Sequence, residues 1–263
     1  MLGVDDALVL LTTGALEIDG RLVDASNTTL LCNVSLDGVF AACVYKPVRG
    51  ERPLWDFPDG TLAGREVASY LISQATGWNL VPPTVLRDGP LGPGMCQLWI
   101  ETEDITSLVN VVPVDAVPDG WRSVLRGVDS ADRAVAVVHA DDVRLRRLSV
   151  LDAVLNNADR KGGHLLLDAA GGLYGVDHGI CLHAEEKLRT LLWGWAGEPL
   201  PGEAVEVLTA LAADLDGALG EDLRDHLTRR EVTAVGERIR RLLRTGRHPS
   251  PGRGWPAVPW PPF

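Results

Sequence analysis

The spacing of apolar positions changes period several times along the chain, and each change predicts an element. Residues 4–12 read as a short helix that packs beneath the first strands. Three apolar-rich runs of strand length follow, at 15–23, 28–35 and 39–46. The turn residues Asp24-Ala25-Ser26-Asn27 and Leu36-Asp37-Gly38 separate them, which predicts an antiparallel meander. Val67, Leu71 and Ile72 then predict a helix over 64–76, ended by Gly77. A strand is expected at 80–86, kept off the centre of a sheet by Pro82 and Pro83. Gly89-Pro90-Leu91-Gly92-Pro93-Gly94 reads as a turn, because prolines interrupt it and no helix follows. Residues 95–100 form the next apolar strand.

Residues 103–128 are mixed, with Pro113 and Pro118, and 131–147 follow a helical pattern broken near His139-Ala140-Asp141. Leu148, Val150, Leu151, Val154 and Leu155 continue one apolar helical face, which stops at Asn156-Asn157. A polar loop, 157–164, holds Asp, Arg, Lys and His. Leu165-Leu166-Leu167 and Leu173-Tyr174-Gly175-Val176 then predict a hairpin around Ala169-Ala170-Gly171-Gly172. Asp177 ends the second strand, followed by His178-Gly179, so Asp159 and Asp177 fall at the two ends of one small sheet. Residues 203–218 and 230–243 are amphipathic helices with charged outer faces. From Gly246 the chain is rich in Pro, Gly and Trp; it is expected to lie extended on the surface, with Trp255 and Trp260 needing cover.

A net charge of −11 opposes general nucleic-acid binding, which needs a basic footprint. The four cysteines, Cys32, Cys43, Cys96 and Cys181, form no C-x-x-C pair and read as buried free thiols in a reducing compartment. Asp5 and Asp6 replace the basic start of a signal peptide, and no apolar run approaches the ~20 residues of a membrane span. The expected location is cytoplasmic. Zinc-hydrolase, α/β-hydrolase and P-loop signatures are absent from the sequence.

Asp159-Arg160-Lys161-Gly162-Gly163-His164, followed by a hairpin ending in Val176-Asp177-His178-Gly179, resembles the phosphatidylinositol 3-/4-kinase-like superfamily. Asn156-Asn157-Ala158-Asp159-Arg160 is most similar to the type II phosphatidylinositol 4-kinases and their bacterial relatives. The resemblance implies an α+β, two-lobed, protein-kinase-like fold: an antiparallel N-lobe sheet and hinge over 1–101, a mainly helical C-lobe over 102–245, and a Pro/Trp-rich tail over 246–263. It implies ATP and Mg²⁺ or Mn²⁺, and a hydroxyl acceptor on an inositol lipid, a polyol or a protein. Phosphoryl transfer needs one carboxylate at the attacking hydroxyl and one on the metal that bridges the phosphates. Asp159 takes the first role and Asp177 the second, with Lys161 meeting the γ-phosphate. Arg160 is expected to tie the loop to a carboxylate or carbonyl, Asn157 to brace it, and His178 to be structural.

Lys46, at the end of the third strand, and Glu66, in the following helix, match the phosphate-binding lysine and its glutamate. The backbone of Gln97, Leu98, Trp99 and Ile100 is the implied adenine hinge. Ser26, Asn27, Thr28 and Thr29 either contact phosphate or form an ordinary Asx/Ser turn. The loop 49–59, with Trp55 and Phe57, either covers the nucleotide or plugs the lobe interface. His164 departs from the family pattern, in which an Asn binds metal. Imidazole suits Mn²⁺ better than Mg²⁺, so His164 is a second ligand, a water-mediated or phosphate contact, or the mark of a weakened site. An ATP-binding pseudokinase scaffold and a nucleotidyl transferase on the same fold are the alternatives.

Overall fold

The computed structural model describes residues 2–22, 27–252 and 256–263. The first helix, α1 (Val4–Thr13), packs Leu10 and Leu11 beneath a five-stranded antiparallel sheet. Its strands are β1 (Ala15–Arg21), β2 (Leu30–Leu36), β3 (Val39–Pro47), β4 (Thr84–Gly89) and β5 (Gly92–Leu98), in the order β1-β2-β3-β5-β4. Leu30, Cys32, Val34, Cys43, Tyr45 and Cys96 point inward from alternate positions and meet the helix, as period-two burial requires. All four cysteines are buried and free. β4 and β5 continue to Gly89 and Gly92, so the expected six-residue turn is a tight hairpin instead.

Between β3 and β4 lies α2 (Leu62–Ala75). Thr61 caps it by accepting from the Gly64 N–H at 2.9 Å. The Glu51 carboxylate accepts from the N–H groups of Leu62 and Ala63 at 3.0 and 2.8 Å, adding negative charge at the positive end of the helix.

The expectation of a helix over 131–147 is wrong over its first half. Residues 109–140 form a second antiparallel sheet: β6 (Val109–Pro113), β7 (Trp121–Val128) and β8 (Ala134–Ala140), with β8 in the middle. Val135, Val137 and Val138 are β-branched and find partners on both sides, which outweighs a weak helical spacing. The helix, α3 (Val143–Leu155), begins only after Asp142, whose side chain accepts from the Arg144 N–H. Asn156 ends it in the left-handed conformation at φ 53°.

The expected hairpin is β9 (Leu165–Leu167) with β10 (Leu173–Gly175), the second strand stopping one residue before Val176. Three helices complete the fold: α4 (Gly202–Asp214), α5 (Ala218–Arg224) and α6 (Arg229–Thr245). The single helix anticipated over 203–218 stops at Asp214, and α5 was not anticipated. A leucine-rich core joins α3, α4 and α6 through Leu148, Leu151, Leu208, Leu211, Val235 and Ile239. The chain is therefore α+β, with an antiparallel sheet in its first hundred residues and helices dominating its second half.

Candidate active site

Lys46 leaves the end of β3 and places Nζ 2.6 Å from Glu66 Oε1 and 2.8 Å from Asp177 Oδ1. Burial works against the ammonium, but the two carboxylates outweigh it and hold its pKa above the usual lysine value. The lysine charge beside Asp177 holds that carboxyl below the usual range. Glu66 is buried, and its other oxygen accepts from the His178 N–H at 2.8 Å. Asp177 is half exposed and adopts φ 61°, a left-handed backbone that turns its carboxylate out of the hairpin.

Asp159 lies on the loop after α3. Its own N–H donates to Asn157 Oδ1 at 2.9 Å, and its carboxylate sits 3.0 Å from Lys161 Nζ. Arg160 is fully buried. It donates to both oxygens of Asp152, to the carbonyls of His164 and Val176, and to His178 Nε2 at 2.6 Å. Asp152 also accepts from Asn157 Nδ2 at 3.0 Å and from the Thr190 hydroxyl at 3.2 Å. Asp152 and Thr190 went unnoticed in the sequence. The available signal was a charged residue on the apolar face of α3, which demands a buried partner.

Gly175 is required beside this network, because a Cβ there would fall 2.8 Å from the Arg160 guanidinium. The expected bracing roles of Arg160 and Asn157 match these contacts. His178 accepts the Arg160 proton bond while buried, so it is neutral; burial first, and the Arg160 charge after it, press its pKa well down.

His164 points Nε2 toward Asp177 Oδ2 at 3.5 Å. Burial lowers its pKa against the attraction of Asp177, so the ring favours the neutral form that a metal ligand needs. Among the described residues no three His, Cys, Asp or Glu side chains form a ready cation cage. A carboxylate with one imidazole does fit a divalent ion that takes its remaining ligands from phosphate oxygens and water.

The other anticipated nucleotide contacts fare differently. The N–H groups of Leu98 and Trp99 donate to the carbonyls of Pro83 and Ala42, and the Gln97 side chain donates to Thr84. The first two amides are therefore committed to holding the sheet rather than free for a hinge. Ser26 lies outside the described residues. Asn27 Oδ1 accepts from the Arg52 N–H, Thr28 packs on Gly50, and Thr29 is buried. Asn27 and Thr28 thus tie the β1–β2 connection to the loop after β3, while Thr29 bonds within the connection. In the 49–59 loop, the Phe57 ring meets Arg65 of α2 and His183, while Trp55 is exposed.

Arg65, next to Glu66, forms a buried ion pair with Glu231 of α6 and donates to the Cys181 carbonyl at 2.8 Å. A cavity of about 1090 Å³ opens beside residues 183–193, walled by Trp55, Lys187, Trp193, Arg241 and His248. Lys46, Asp159 and Asp177 do not line it.

No family model matches the chain. Protein Rv2133c of Mycobacterium tuberculosis (strain ATCC 25618 / H37Rv) is 48% identical over 268 residues, covering 98% of this chain and 96% of that protein. The chain belongs to the family of that mycobacterial protein. Among solved structures, the hydra Fam20 with sugar superposes with a TM-score of 0.59 at 13% identity, covering 92% of this chain and 87% of the other. The Golgi casein kinase with Mn/ADP bound gives 0.57 at 14%, covering 92% and 75%. At such identities the likeness is one of fold, and the fold is kinase-like. Among the described residues no helix is long and apolar enough to cross a membrane.

Proposed function

We propose that this protein is an ATP-dependent phosphotransferase that moves the γ-phosphate to a hydroxyl group. The observation that carries the reading is the Lys46 ammonium held between Glu66 and Asp177 at 2.6 and 2.8 Å, bringing β3, α2 and the end of the hairpin to one point. A lysine on α- and β-phosphates, steadied by a helix glutamate beside a metal-binding aspartate, is what phosphoryl transfer requires.

Asp177 and His164 would hold a divalent cation, which supplies neutralisation of the phosphate charge. Asp159 orients the acceptor hydroxyl and receives its proton. The acceptor oxygen then bonds to the γ-phosphorus, the bond to the β–γ bridging oxygen breaks, and its electron pair leaves with ADP. Lys161, 3.0 Å from Asp159, meets the γ-phosphoryl oxygens as charge shifts onto the bridge. The Leu98 and Trp99 amides are taken, which leaves Ile100 as the hinge residue for adenine in this reading.

The Golgi casein kinase structure with Mn/ADP supports a nucleotide and a divalent metal on this fold. The motif likeness to type II phosphatidylinositol 4-kinases keeps an inositol lipid among the acceptors, beside polyols and protein side chains. The imidazole in the cation site favours a second reading, a nucleotide-binding pseudokinase.

Incubation with ATP labelled separately at the α- and γ-phosphates, in Mn²⁺ and in Mg²⁺, tests the reading. Release or transfer of the γ label, with the α label remaining on ADP, is expected. Transfer of the α label would make the protein a nucleotidyl transferase, and binding with no transfer of either would make it a pseudokinase.

A further inference from the structure

The residues after Gly246 were expected to lie extended on the surface. Residues 256–263 do so, with no helix or strand and with Phe263 44% exposed, and they dock on the loop that carries Asp159. The Gly162 N–H donates to the Pro262 carbonyl at 2.8 Å. The Phe263 ring lies over Gly162 so closely that a Cβ there would fall 2.1 and 2.2 Å from two ring carbons. Gly162 is buried, while the neighbouring Gly163 is exposed. Trp260 remains uncovered and Trp255 lies outside the described residues.

The same segment makes a second grip, on residues 190–193. The Ala257 carbonyl accepts from the Thr190 N–H at 3.1 Å and from the Trp193 indole at 2.8 Å. Residues 189–191 run beside Arg160: its N–H donates to the Arg189 carbonyl at 3.0 Å, and its carbonyl accepts from the Leu191 N–H at 3.2 Å. Thr190 also places its hydroxyl on Asp152. One grip therefore bears on Gly162 directly, and the other on the strand-like stretch that pairs with Arg160.

The physical need for such a grip lies in Gly162-Gly163. Glycine has the widest backbone freedom, and this pair separates Lys161 from His164. Reacting groups must be held to a fraction of an ångström, and a mobile glycine pair works against that. Pro256, Pro259, Pro261 and Pro262 restrict the segment before it docks, so docking loses less conformational entropy.

We propose that Pro262 and Phe263 are positioning residues, clamping Gly162 so that Lys161 and His164 keep their places relative to Asp159 and Asp177. This rests on the phosphotransfer reading above. One grip on Gly162 and one on the stretch that pairs with Arg160 describe a brace for the loop rather than a plug over it.

The test compares the full chain with Phe263→Ala, with Phe263→Tyr, which keeps the ring, and with Gly162→Ala, whose methyl takes the place of the ring. Three quantities are measured: hydrogen exchange across 157–164, ATP affinity with Mn²⁺ by calorimetry, and phosphate release from ATP. In Phe263→Ala and Gly162→Ala, exchange should quicken about tenfold or more. The kcat should fall by about tenfold or more with ATP affinity within about twofold, the split expected of lost positioning. Phe263→Tyr should restore both.

Unchanged exchange in Phe263→Ala overturns the clamp. Faster exchange with equal or higher kcat also overturns it, because the segment then obstructs the loop instead of positioning it. Wild-type protein that binds ATP and releases no phosphate refutes the phosphotransfer reading on its own, while the exchange comparison still decides whether Phe263 holds the loop.

Discussion

Replacing Asp152 by Asn removes one negative charge from a side chain that water does not reach and leaves its shape almost unchanged. In the folded protein that charge faces the Arg160 guanidinium through three contacts of 3.0–3.2 Å. It also accepts from Asn157 and Thr190. After the change, Arg160 keeps two carbonyls and the His178 ring as acceptors, but no counter-charge. Breaking one half of a buried ion pair costs about 3–5 kcal/mol. Since three neutral acceptors remain, the lower end, about 3 kcal/mol, is expected. That is a large share of the ~5–15 kcal/mol that holds a typical domain.

Equilibrium unfolding in urea measures the loss as a fall in midpoint at constant slope. Arg160→Met and the double replacement complete a cycle, and a coupling of about 2 kcal/mol or more is expected for groups in direct contact. A loss below about 1 kcal/mol for Asp152→Asn, with a coupling near zero, would refute the claim that this pair anchors the loop.

Lys46→Met should weaken ATP binding by about tenfold or more in a folded protein, measured by calorimetry; unchanged affinity would remove the nucleotide from this cleft. Asp159→Asn should leave ATP affinity within a small factor while lowering phosphate release about 10²-fold or more. Equal losses in both would make Asp159 a metal or structural residue. His164→Asn exchanges an imidazole for an amide oxygen, so the ratio of activity in Mn²⁺ to that in Mg²⁺ should fall; an identical ratio would make the histidine a bystander. Burial holds the folded-state pKa of His139 and His248 at about 4 each, against an ordinary value of 6.5. The unfolded chain therefore binds more protons between those limits, so stability falls as pH drops from about 6.5 toward 4, by about 3 kcal/mol per imidazole. His139→Gln should flatten that slope in urea melts, and an unaltered slope would show that His139 does not contribute to it.

The parts of the site legible in the sequence were those whose chemistry is local. Asp159 and Asp177 stood out because polar residues interrupted apolar flanks of clear period, and the hairpin between them followed its turn residues. Lys46 and Glu66 were found by their order along the chain, and their 2.6 Å pairing agrees. The sheet over 109–140 was missed because its central strand, alternating Ala and Val, satisfies a helical spacing almost as well. Only the partners on either side decide the matter, and they lie in residues of little pattern. Asp152, Thr190 and Glu231 were missed for a related reason. Each acts through a partner set by tertiary packing, 8, 38 and 166 residues away in the contacts that matter. Phe263 on Gly162 is the extreme case, since nothing local to either residue announces the other.

These long-range contacts explain how the lysine is aimed. Glu66 divides its two oxygens between the Lys46 ammonium and the His178 N–H. Arg65, the preceding residue, reaches the Cys181 carbonyl and Glu231 of α6. Adjacent residues on one turn of α2 thus bind the 177–181 segment twice, and the second attachment continues into the helical core. Turning α2 would separate the buried Arg65–Glu231 pair and expose both charges to an apolar surround, at a cost of several kcal/mol. Sliding the hairpin would pull the His178 N–H from Glu66 and, through His178 Nε2, disturb Arg160 and Asp152. The half-exposed Asp177 holds its side chain by the ion pair to Lys46 at 2.8 Å, on a left-handed backbone between two restrained neighbours. Its position is therefore inherited from His178 and Arg160. The Asp177 carboxylate thus meets its charge partners at the cleft, with Lys46 on one side and His164 on the other.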